Sequence, residues 1–300
     1  MKWHPLPYRS ATYQGFFLFP MQNRSPSLRT QSRMPKGGYL FQRILLLGAV
    51  CTLLLIVSCS EAAPGSPVVF QENFDEGVLD LSRWEITIDG DFSEAVVDVV
   101  DVDQSDATDH RLRLQANTLG TSDPLKYVGI RSKNPIDFTS GKDILFELDW
   151  NNQANGCYLT ASFYLCPVVS NNPRAEDNWL KFEYAGVPPG RNVRINIWEK
   201  VEGIVNPLFT DQGAQDDQGR PRGMPLGNAS HTIGILLDTD SLHVMQDDAG
   251  LLPLSQHNLN FTTGYMYLQM SSGTNYPSRE VYFDNIVVQS ASSSGPAPAQ

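Results

Sequence analysis

The stretch "DNWLKFEYAGVPPGRNVRINIWEK", residues 177–200, alternates polar and apolar side chains twice over. Trp179, Lys181 and Glu183 oppose Leu180, Phe182 and Tyr184. Asn192, Arg194, Asn196, Trp198 and Lys200 oppose Val193, Ile195 and Ile197. A period of two marks a strand with one buried face. The intervening "AGVPPGR" is short enough to join the two runs as a hairpin. The pattern predicts antiparallel neighbours near 178–184 and 191–199, with their rings and cations on the side away from the core.

The alternation extends along the chain. Strands are expected near 67–72, 84–88, 94–101, 111–116, 126–132, 143–150, 157–165, 231–237, 241–246, 264–271 and 281–288, separated by Gly, Pro, Asn and Asp. No segment sustains a helical period. An all-β, two-sheet antiparallel sandwich of the jelly-roll kind follows. Tyr158, Thr160, Ser162 and Tyr164 share one face of their strand, and Tyr265, Tyr267 and Gln269 one face of theirs. Asp247-Asp248-Ala249-Gly250 reads as a short hairpin between 241–246 and "LLPL", 251–254. The polar, Gly-rich 210–230 reads as an exposed loop.

The N-terminal part reads as a leader. Arg43 precedes an apolar run, Ile44–Ser58, that is shorter than the roughly 20 residues of a bilayer span and suits a signal peptide. "IVSC", Ile56 to Cys59, resembles the bacterial lipobox. That resemblance implies cleavage before Cys59 and a diacylglyceryl group on its sulfur, with an uncleaved signal anchor as the alternative. Met34 starts a conventional signal sequence, so 1–33 reads as an over-extended start. The expected organisation is a signal region over 1–58, a lipidated Cys59 with a linker to 66, one sandwich domain over 67–290 and a low-complexity tail over 291–300.

Seven of the 22 Lys and Arg lie before Cys59 and none of the 33 Asp and Glu does. The exported part therefore carries a net charge of −18. Such a surface repels phosphate backbones and anionic lipid, which argues against nucleic-acid binding and leaves the lipid anchor as the only membrane contact. It also favours a neutral or mixed glycan over an acidic one. Cys157 and Cys166 lie nine residues apart on one extended run, roughly 30 Å, so they are expected as unpaired thiols.

"FQENFDEGVLDLSRWEI" (70–86), "YVGIRSKNPIDFTSGKDILFELDW" (127–150) and "REVYFDNIVVQ" (279–289) resemble, in order and spacing, the concanavalin A-like lectin and glucanase jelly rolls. Family 16 glycoside hydrolases and laminin-G-like domains are nearest in pattern. The resemblance covers about 68–289 and implies two curved sheets whose concave face often serves glycans.

It also addresses "FELDWNN", 146–152, whose Glu147 and Asp149 look like half of a catalytic E-x-D-x-x-E strand. The family pattern makes this the framework strand and aligns 177–186 with the catalytic one. Glu183 then takes the last glutamate position, Asn178 the nucleophile position and Leu180 that of the intervening aspartate. A retaining hydrolase needs two carboxyl groups about 5–5.5 Å apart, and Asn178 cannot attack. Read in its own register, "ELDWNN" ends on Asn152 and is equally incomplete. Glu147 and Asp149 are expected to face water, and Glu183 is the surviving acid of the motif, which an enzyme would have to pair with a carboxylate from another strand.

The resemblance further implies a structural calcium on the convex side. Asp284 would be its ligand, with Glu72 or Asp75 added from the N-terminal strand. The acidic run 98–110 does not fit an EF-hand, because Asp106 occupies the glycine position. No zinc or phosphate-loop pattern is present.

The residues leave three functions open: a non-catalytic lectin-like domain on the cell envelope, a family 16-like hydrolase or lyase, and a structural or adhesion lipoprotein. Face alternation favours the first. It assigns Trp179, Lys181, Glu183, Arg194, Asn196, Trp198, Tyr265 and Tyr267 to a polysaccharide-binding surface.

Overall fold

The computed structural model describes residues 67–101, 109–122, 125–149, 159–187, 192–213, 217–219, 224–225 and 230–291. The leader, Cys59 and Cys157 lie outside them.

The regular structure of the described chain is all strand, apart from one turn of 3-10 helix at Pro173–Ala175. Its strands are β1 (Val68–Glu72), β2 (Trp84–Asp89), β3 (Glu94–Asp101), β4 (His110–Asn117), β5 (Lys126–Ser132) and β6 (Ile136–Asp137). Next come β7 (Lys142–Asp149), β8 (Leu159–Cys166), β9 (Trp179–Val187), β10 (Asn192–Val201), β11 (Ile204–Asp211) and β12 (Met224–Pro225). The last are β13 (His231–Leu237), β14 (Ser241–Gln246), β15 (Ala249–Gln256), β16 (Thr263–Ser272) and β17 (Arg279–Ser290). Every predicted strand is present.

One sheet runs β15-β14-β13-β7-β17-β4-β3, with β1 beside β17. The other runs β11-β10-β9-β8-β16-β5-β2. All pairings are antiparallel. This is the predicted two-sheet jelly roll. The sheets meet through their apolar faces in one core. At its centre Phe146 of β7 stacks on Phe163 of β8 at 5.0 Å, and Phe182 of β9 meets Phe146 edge-on at 6.1 Å.

The β14–β15 hairpin forms where expected, but β15 begins at Ala249, inside the predicted turn. Asp247 and Asp248 both take positive φ, 50° and 63°, the backbone of a two-residue turn whose twist matches its strands. Glu202 and Gly203 (φ 50° and 82°) build a second such hairpin into β11. That strand escaped sequence reading because Pro207 interrupts it. Proline is tolerated here since β11 is a sheet edge and its register slips beside Pro207, opposite Trp198. The predicted 210–230 loop is corrected at both ends. Thr210 and Asp211 belong to β11, and Met224–Pro225 pair with Asn192 and Val193 of β10.

Candidate functional site

Strand parity holds. Leu180, Phe182, Val193, Ile195, Ile197, Phe163 and Leu268 all enter the core, so their alternate neighbours share the opposite face of the sheet, the one expected to be concave. Register arranges that face into rows. One row runs Arg194, Ala185, Thr160, Ser271 and Tyr127 across β10, β9, β8, β16 and β5. The next runs Asn196, Glu183, Ser162, Gln269 and Gly129, ending at Thr87 of β2. The third runs Trp198, Lys181, Tyr164, Tyr267 and Arg131, ending at Glu85.

The third row is not open to solvent, which corrects the expectation of an exposed aromatic surface. Trp179, Lys181, Glu183, Asn196 and Tyr267 are all buried, and only Trp198, Tyr265 and Arg194 stay partly exposed. The cover is the connection between β8 and β9, residues 167–178. Tyr267 Oη accepts from Ser170 N and donates to Val168 O, both at 2.9 Å. Trp179 Nε1 donates to Arg174 O at 3.3 Å, Gln269 Nε2 to Asn171 O at 3.4 Å and Asn172 Nδ2 to Asp89 at 2.8 Å. The loop thus satisfies its backbone on side chains of the face it covers.

Beneath it, Tyr164, Cys166, Trp179 and Tyr267 form a second apolar cluster against Trp198 and Tyr265. The rings assigned to sugar hold Lys181 instead. Its ammonium lies 4.6 Å from the Trp198 ring centre and 5.7 Å from those of Trp179 and Tyr164. Lys181 Nζ also donates to Glu183 Oε2 at 2.6 Å, and Asn196 Nδ2 donates to Glu183 Oε1 at 2.7 Å. Burial pushes the Glu183 carboxyl up, but the Lys181 charge and the two hydrogen bonds outweigh it and hold the group below the usual glutamate range. Cys166 is a free, buried thiol pushed up to about 11 by burial.

Beyond the loop a pocket of about 380 Å³ stays open. Thr160, Ala185 and Ser271 floor it, Trp198 and Arg194 form one wall, and Arg174 and Glu183 reach in. The sequence reading missed Arg174, Thr160 and Ser271. Parity placed Thr160 on the right face, and the same count on β16 reaches Ser271. Arg174 carries no local signal, because the path of the covering loop alone brings it here.

Glu147 and Asp149 do not join this site. They lie on the outer face of the other sheet, where Glu147 pairs across strands with Asp284, and Asp149 meets Arg111 at 3.5 Å. Burial and the neighbouring Glu147 charge raise the Asp284 carboxyl to about 7. The candidate calcium ligands have separate partners. Glu72 accepts from Phe74 N, Arg83 and Trp84 Nε1, and Asp75 bonds Asn73. Among the described residues no group of three or more His, Cys, Asp or Glu side chains assembles around a metal position.

No protein-family model matches the chain, and no curated protein does. Solved structures do. The Bacteroides ovatus mixed-linkage glucan GH16 protein, in complex with a product, superposes with a TM-score of 0.52 at 12% identity, over 73% of this chain and 99% of that one. The laminarinase catalytic domain from Thermotoga maritima gives 0.51 at 15%, over 76% and 99%. The globular domain of T. cruzi calreticulin gives 0.51 at 13%, over 75% and 89%. Likeness at such identities speaks to the fold and not to the chemistry. The chain has the concanavalin A-like jelly-roll fold.

Proposed function

We propose that this chain is a lectin-like, non-catalytic carbohydrate-binding domain, held on a bacterial envelope through a lipidated Cys59. The observation that carries the reading is the concave-face pocket. It combines a half-exposed Trp198 ring, two hydroxyls and two guanidinium groups in about 380 Å³, within the roughly 300–1,000 Å³ of small-molecule sites. A flat ring suits the C–H face of a sugar, and the polar groups suit its hydroxyls. The GH16 and laminarinase neighbours make a glycan ligand the natural first choice by analogy of fold.

Absence of catalysis is argued from charge. Glu183 is the only acid on the concave side of β5, β8, β9, β10 and β16. The nearest strand with others is β2, four strands away, which puts the backbones of Glu85 and Asp89 roughly 19 Å from that of Glu183; Glu176 stands on the covering loop near Cys166 and Tyr267. Glycoside hydrolysis uses carboxyl groups no more than about 9.5 Å apart, one of them protonated. Glu183 is held ionised by Lys181 and Asn196 and is a poor proton donor.

Affinity electrophoresis of the detergent-solubilised full chain against a polysaccharide panel tests binding, and reducing-end assays on the same panel test cleavage. Retardation by at least one polysaccharide without release of reducing ends is expected. Release that disappears in Glu183→Gln would show a hydrolase. Palmitate labelling, present in the parent and lost in Cys59→Ser, tests the anchor.

A further inference from the structure

We propose that the concave-face pocket selects saccharides bearing an anionic substituent, a carboxylate or a sulfate ester, and that Arg194 and Arg174 hold that group. This rests on the carbohydrate-binding reading above and narrows its ligand class.

The two guanidinium groups border opposite sides of a floor of small side chains. Arg194 begins the row that continues through Ala185, Thr160 and Ser271 to Tyr127. Arg174 comes down from the covering loop at the far end, where its Nη1 donates to Tyr127 Oη at 3.5 Å. Ala185 and Gly186 leave space above β9, and the Thr160 and Ser271 hydroxyls, bonded to each other across β8 and β16, line it.

Charge in this space is unbalanced. Lys181 and Glu183 neutralise one another. Among the described residues Arg194 and Arg174 are in no ion pair, and Arg194 Nε is buried with no hydrogen-bond partner. Arg194, Arg174 and Glu183 line the pocket with a net charge of +1, which Lys181 beside it raises and Asp89 beyond Tyr127 lowers by one each. A partly desolvated guanidinium with an idle donor is costly unless an acceptor arrives. Its planar fork matches the paired oxygens of a carboxylate or sulfate. Glu183 accepts from Lys181 and Asn196 and leaves Arg194 Nε without a partner.

The acidity of the rest of the chain sharpens this preference. A net charge of −18 over the exported part disfavours indiscriminate polyanion binding. Screening confines that repulsion to about 10 Å at 0.1 M salt, so the pocket decides locally. A polyanion retained by so acidic a protein must be held at a locally basic site such as this recess.

The test is calorimetry of the detergent-solubilised full chain with three polymers of matched length: a polygalacturonate, a sulfated dextran and a neutral β-1,3-glucan. At least one polyanion is expected to bind about tenfold or more tighter than the glucan and to weaken as salt rises. Arg194→Gln should remove about tenfold of that preference, and Arg194→Lys, which keeps the charge, should restore part of it. Trp198→Ala should weaken whichever polymer binds. Thermal midpoints within a few degrees of the parent certify that the variants fold. Equal or tighter glucan binding, unchanged in Arg194→Gln, would overturn the anionic assignment while leaving carbohydrate binding intact. No binding to any polymer, with the fold intact, would overturn both.

Discussion

Lys181 and Glu183 stand two residues apart on β9 and close a 2.6 Å ion pair that is buried under the 167–178 loop. Two charges out of water on one strand make the pair a liability when broken. Lys181→Met, which leaves Glu183 buried and uncompensated, should cost about 3–5 kcal/mol in urea unfolding at pH 7. The double variant Lys181→Met, Glu183→Gln should recover most of that loss. A single variant as stable as the parent would mean that the pair is solvated.

The same pair predicts an acid response. The folded Glu183 carboxyl lies below its ordinary value of 4.5, so the unfolded chain binds its proton first. Its contribution is present above that ordinary value and is lost as pH falls through the folded one. Between pH 6 and pH 3, Glu183→Gln should therefore lose less stability than the parent. Parallel curves would assign the acid sensitivity elsewhere.

The two tryptophans of the candidate site should part company. Trp179 is 2% exposed and bonds the covering loop, so Trp179→Ala should cost about 3–5 kcal/mol and loosen residues 167–178 to proteolysis. Trp198 is half-buried at the pocket wall, and Trp198→Ala should cost about 1–2 kcal/mol while weakening ligand binding. Equal stability losses would place both rings in the core.

This contrast marks where sequence reading stopped. Alternation from Trp179 to Lys200 was enough to put each side chain on its proper face, because a strand has only two faces and one must be apolar. It also brought Trp179, Lys181, Trp198 and Glu183 together. Parity does not say what lies above a face. Trp179 and Tyr267 are buried by a loop with no periodicity to read, bonded to them through Ser170 N, Val168 O and Arg174 O. β11 was lost for the opposite reason, a local breaker at Pro207 that an edge position tolerates. Resemblance kept Glu147 and Asp149 off the strand that aligns with the family's catalytic one, and register seats them on the outer face of the other sheet.

Gly129 gives a test of the concave floor. A Cβ there would lie 2.2 Å from Leu268 O and 2.9 Å from Gln269 Cα, backbone atoms of the neighbouring strand that cannot swing aside. Gly129→Ala should destabilise by about 1–3 kcal/mol and disturb the β5–β16 ladder in amide exchange. A neutral outcome would show that β5 moves freely against β16.

Asp284 supplies a prediction of opposite sign to that for Glu183. Burial first, then the cross-strand charge of Glu147, lifts its carboxyl from 3.8 to about 7. The folded chain keeps a proton that the unfolded chain has released, so stability should fall as pH rises from about 4 to about 7 and then level off. Asp284→Asn keeps an oxygen for the Asn285 amide, which donates to Asp284 Oδ1 at 2.7 Å, and removes the ionisation. The variant should match the parent near pH 4 and exceed it at pH 8 by about 1–2 kcal/mol. That is less than the roughly 4 kcal/mol implied by the full pKa difference, because solvent and Arg111 screen the charge. Chemical denaturation at both pH values in the presence of EDTA checks it. A variant less stable than the parent at pH 8 would mean that the ionised carboxylate is used there, with Arg111 the partner to test next.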